Sequence, residues 1–128
     1  MSQATVIAVF REDVEKFLRE QNVRFISDIG LTGTSGFHHP FDFVIPQSSG
    51  NPERYVRAVN NPNRENIVAV IFAWQDIQSK RVPTAKMIAM LNDESRRINP
   101  DNIAALDKYG IETITWTNRE QKVALLQD

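Results

Sequence analysis

The chain has no cysteine and only two histidines among its 128 residues. This excludes a disulfide framework, a thiolate zinc site and a cysteine nucleophile, and fits a cytoplasmic setting. A charge excess is also missing. Fifteen Lys and Arg face 16 Asp and Glu, for a net charge of -1. A free-standing binder of nucleic-acid backbone is usually more basic, so the balance tilts any macromolecular partner toward protein. Long apolar runs are lacking too. The longest, Ile67 to Trp74, is far short of the ~20 residues of a membrane-spanning helix. No basic n-region opens the chain, and there is no repeat or low-complexity tract. What remains is an ordinary globular composition, 41% hydrophobic and 24% charged, long enough for one domain over residues 1–128.

The periodicities predict an order of elements. Ile7, Phe10, Val14, Phe17 and Leu18 recur at helical spacing, and Asn22 is a suitable stop. "VRFISDIGLT" and "FHHPFDFVIP" read as strands joined by a turn at "GTSG", a hairpin. "RYVRAVN" alternates as a third strand, with Tyr55, Arg57 and Val59 on one face. "NPNRENIVAVIFAWQDIQ" carries eight consecutive apolar residues, which suit a buried strand or helix. Asn61-Pro62 and its length favour helix. "AKMIAMLND" reads as a strand, "DNIAALDKYG" as a helix ended by Gly110, and "IETITW" as a short strand. Thr117 and Glu120 have capping-box spacing, predicting a last helix over "NREQKVALLQ". The fold class is therefore α/β (α+β), a mixed sheet of about five strands flanked by helices.

"FHHPFDFVIP" holds both histidines and Asp42. His38 and His39 are adjacent, so on a strand they diverge and cannot easily share a metal. Asp42 lies between Phe41 and Phe43. Strand alternation predicts both rings in the core and the carboxylate turned to solvent or to a turn. Gly33 to Gly36 lacks the lysine and spacing of a phosphate loop, and Ser35 has no base partner in view. Trp74 is expected in the core, Gln75 and Asp76 at the surface, Trp116 against the last helix, and "DESRR" in an exposed turn.

The element order resembles the PD-(D/E)XK, restriction-endonuclease-like superfamily. More narrowly, "NVRFISDIGLTGTSGFHHPFDFVIP", "AVNNPNRENIVAVIFAWQD" and "YGIETITW" resemble an uncharacterised domain of bacterial and phage-encoded proteins, often the C-terminal half of a longer chain. In active members of the superfamily an aspartate on the second strand and an acidic-x-lysine triplet on the third hold magnesium and activate water. The resemblance places Asp42 at the strand aspartate and Glu15 or Glu20 at the helix acid. The third strand departs from the pattern. It offers Arg54, Arg57 and Asn60, with Glu53 at its entrance and Tyr55 where a lysine is wanted.

The resemblance thus implies a catalytically degenerate binding domain of phage or mobile-element origin, acting through a protein or a nucleic acid as an inhibitor or adaptor. The alternatives are a magnesium-dependent nuclease with a migrated site at Asp42, Glu15 and Glu53, and a homodimeric interaction module. Arg54, Arg57, Arg64, Lys80, Arg81 and Lys86 would form the anion-binding face.

Overall fold

The computed structural model describes residues 2–128. Helix α1 (Gln3–Glu20) starts where the Ser2 hydroxyl accepts the Thr5 N–H at 3.1 Å. It ends in a Schellman motif. Asn22 takes a left-handed φ of 58°, Val23 N–H returns to Leu18 O, and Asn22 N–H returns to Arg19 O. Strands β1 (Ile26–Thr32), β2 (His38–Ile45) and β3 (Arg54–Val59) follow, then α2 (Arg64–Gln78), β4 (Lys86–Leu91), α3 (Pro100–Lys108) and β5 (Glu112–Thr115). Gly110, with φ of 73°, closes α3 in a second Schellman motif, through Ile111 N–H to Leu106 O.

The five strands form one sheet in chain order. β1–β2 and β2–β3 are antiparallel, whereas β3–β4 and β4–β5 are parallel. Parallel neighbours need crossovers, which α2 and α3 supply. Both lie on one face, over Met87, Ala89 and Leu91 of β4. Helix α1 covers the other face, over Ile88 and Met90. β4 is thus apolar on both sides, as a central parallel strand must be. The apolar run settles as helix, because Asn63 caps Asn66 N–H at 2.9 Å and Ile67, Val70, Ala73, Trp74 and Ile77 form one buried stripe. Val68 and Phe72 fall outside that stripe and stay exposed.

Several expectations need correction. The first strand begins at Ile26, so Val23 to Phe25 belong to the helix exit. The last segment is a 3₁₀ helix (Trp116–Leu125) broken at Asn118, and no capping box forms. Asp93 instead takes both the N–H and the hydroxyl of Thr117, at 2.9 and 2.6 Å. Trp116 lies under Arg119 of that segment, as expected, with the guanidinium 4.0 Å from its ring, and also packs edge-on against Phe10 and Phe17 of α1.

Asp76, expected at the surface, is buried. It fastens the β1–β2 turn to the end of α2. Its carboxylate accepts Ser35 N–H at 2.8 Å and the Ser35 hydroxyl at 2.6 Å, and lies 2.7 Å from His39 Nε2. Its carbonyl accepts Thr34 N–H at 2.8 Å. Gly33 lets this happen, since a Cβ there would overlap the Asp76 carboxylate. Gly33→Ala should therefore lose about 1–3 kcal/mol in urea unfolding, as overpacking does. Gly30→Ala, with open space around it, should change little. Equal effects would mean that the turn does not depend on this contact.

Candidate functional site

The sequence singles out Asp42, and the structure gives it an unusual place. Residues i and i+2 of a regular strand share a face. Here Phe41 enters the α2-side core against Tyr55, 5.6 Å between ring centres. Phe43 enters the α1-side core against Phe25, at 5.2 Å. The two rings were expected on one face, and β2 instead turns over between them, at Asp42. Its pairing with β3 covers only Phe43 to Ile45, opposite Val56 to Arg54. Beyond that point Asp42 Oδ2 takes the Ala58 N–H at 2.7 Å, doing the work of a strand carbonyl. On the other side Asp28 of β1 stands in a left-handed φ of 56°.

Arg11 of α1 reaches down onto this spot. Its Nε lies 3.4 Å from Asp42 Oδ1, its Nη2 donates to Asp28 Oδ1 at 2.8 Å, and its Nη1 is 3.8 Å from Glu15. The guanidinium also covers the Phe43 ring at 5.0 Å. Burial pushes the Asp42 carboxyl up from the ordinary carboxylate value. The Ala58 N–H, Arg11 and Arg57 oppose that shift, and Asp28 adds to it.

The other sequence candidates scatter. Glu15 is tied to Arg11 and to Arg19, both at 3.8 Å, and Glu20 pairs with Lys16 at 3.9 Å. Glu53 lies four residues before Arg57 on β3, about 13 Å along the strand at ~3.3 Å per residue, too far to share a cation with Asp42. It accepts the Tyr55 hydroxyl proton, with Arg81 Nη1 3.4 Å from that oxygen. Among the described residues no group of three His, Asp or Glu side chains is placed to hold a metal ion. Asp42's oxygens already face Arg11 and the Ala58 N–H, so the residues present do not fit the magnesium site the resemblance implies.

The expected anion-binding face is divided. Arg54 is 1% exposed and serves the fold, donating to the carbonyls of Pro46, Pro52, Leu125 and Gln127. It cannot meet a ligand phosphate, because closing the C-terminal segment onto β3 uses its guanidinium. Arg57 donates to Pro40 O at 3.0 Å beside Asp42. Arg64 opens α2, whereas Lys80 and Arg81 follow its end, about 24 Å away at ~1.5 Å per residue. Lys86 opens β4 at that far end. His38 and His39 do diverge. His38 Nδ1 pairs with Thr32 Oγ1 at 2.7 Å in solvent, and His39 is buried on Asp76. In the Ser35–Asp76–His39 group the carboxylate stands between serine and histidine, so the hydroxyl meets a carboxylate and not the imidazole, unlike the order of a nucleophilic triad. Reasoning from sequence missed Arg11 and Asp28; nothing in their spacing announces a contact between α1 and β1.

The model of a domain of unknown function, DUF1829, matches residues 33–119. The chain belongs to the DUF1829 family. No curated protein matches it. In this DUF1829 domain the matched stretch runs from the β1–β2 turn into the 3₁₀ segment, so it takes in Asp42, β3 and Asp76 but leaves out Arg11 and Asp28. None of its described helices is long and apolar enough to cross a membrane.

Two measurements test these roles. Asp42→Ala should cost about 1–3 kcal/mol in denaturant unfolding, because Ala58 N–H loses its partner. Asp42→Asn, which keeps an acceptor, should cost less; equal losses would assign the role to charge alone. For Asp76, hydrogen bonds from Ser35 first, then His39, lower the carboxyl from 3.8 to about 2. A depressed folded pKa adds stability that is complete above the ordinary value and lost as pH falls through the folded one. The thermal midpoint should drop between pH 4 and pH 2, and that part of the drop should vanish in Asp76→Asn.

Proposed function

We propose that this DUF1829 domain is a catalytically degenerate PD-(D/E)XK-like binding domain of phage or mobile-element origin. It acts as an inhibitor or adaptor through a protein partner. One observation carries the reading. At the position where the superfamily holds a metal, the Asp42 carboxylate faces the guanidinium of Arg11, which also takes Asp28 and Glu15. An internal cation replaces the external one, and no acid or lysine stands on β3 to complete the chemistry. A protein partner is favoured by the near-neutral charge and by exposed apolar groups on one side: Phe37 at 63%, its neighbour Phe72 and Val68 one turn away. A second copy of the chain is the simplest partner for that surface, and sedimentation equilibrium separates it from a foreign one.

The second reading is a metal-dependent nuclease with a migrated site. It draws on Asp42 alone, since among the described residues no three acidic side chains are placed to hold a metal ion. Incubation with plasmid, single-stranded DNA and RNA in magnesium or manganese decides between them. The expected result is no cleavage and no calorimetric heat from either metal. Cleavage that disappears in Asp42→Ala would overturn the binding-domain reading.

A further inference from the structure

The loops that leave the C-terminal ends of β3 and β4 border an open crevice of about 400 Å³. Its size suits a small molecule. Three guanidiniums line it: Arg64 of α2 and Arg96 and Arg97 of the β4–α3 loop. Among the described residues none of the three makes an ion pair, although most other arginines of the domain are engaged. Asp101 is the one carboxylate on the lining. The walls are fixed independently of the arginines. Asn102 Nδ2 donates to Pro62 O at 3.1 Å, joining the start of α3 to the β3–α2 loop, and Asn66 Nδ2 donates to Asn61 O at 2.7 Å. Helices α2 and α3 both begin at this wall, so their dipoles add potential of the same sign.

We propose that this crevice binds the phosphate group of a small, nucleotide-sized ligand. Guanidiniums pair with phosphate oxygens through paired, charge-assisted hydrogen bonds, and three exposed ones around one open crevice supply the charge and the donors. The carboxamides of Asn61 and Asn102 lie on the same lining for polar groups of the remainder. None of these residues touches Asp42, so the inference stands apart from the nuclease-like reading.

Calorimetric titration of the full chain at low salt, with pyrophosphate and with adenosine monophosphate, tests it. Saturable binding is expected, weakened about tenfold or more in Arg96→Ala/Arg97→Ala, the loss of one or more charge-assisted bonds. That variant should keep the wild-type melting temperature, since both side chains are exposed and unpaired. Lys86→Ala, at the far end of the sheet, should bind as wild type, and Asp101→Asn should bind more tightly. The proposal is overturned by no saturable heat from either probe, by equal affinity in the double variant, or by binding confined to a single-stranded oligonucleotide.

Discussion

The fold turns on one hydrogen bond, from the Ala58 N–H to the Asp42 carboxylate. A strand buried on both faces has no regular way to send residues i and i+2 into opposite cores. β2 does so with Phe41 and Phe43, and the cost would be an unpaired N–H on β3. The side-chain oxygen takes that N–H and keeps the ladder satisfied through the irregular step. Arg11 then offsets the buried charge from above, and Asp28 balances Arg11 from β1. A charge paired and hydrogen-bonded in this way is tolerable where a lone one is not. Asp42 is thus the residue that joins the two cores.

A second carboxylate does similar work at the other end of β2. Asp76 replaces the missing partners of a tight turn with its own oxygens and holds His39 below it. Phe37 is exposed beside that fastened turn, edge to face with Phe72. An apolar surface on a turn this well fixed costs little entropy when it is covered, which is what a docking surface needs.

Periodicity made the elements legible. Helix α1 with its Asn22 stop, the hairpin around Gly33 to Gly36, α2 and the Gly110 stop all follow from local spacing and capping chemistry. The mixed sheet follows from strands first and crossovers later. The final 3₁₀ segment was not legible, because it begins at Trp116, ahead of the capping-box residues, with Thr117 held by Asp93, 24 positions away in the chain. The site was half legible. Asp42 stands out by resemblance, but its partners come from α1 and β1. The burial of Arg54 was not legible, because in sequence it looks like any surface arginine.

By itself the sequence determined element types, their order and the layers that order demands, since these rest on interactions within a few residues. It also determined the absence of thiol chemistry. Only the tertiary structure decided which carboxylates are occupied and which arginines are left over. Arg11 and Arg54 are consumed by the fold, whereas Arg64, Arg96 and Arg97 are brought around one cavity without ion-pair partners among the described residues. The reason is physical. A side chain's chemistry is fixed by its type, but its availability depends on which distant backbone and charged groups lie within about 3–4 Å, and spacing along the chain does not carry that distance.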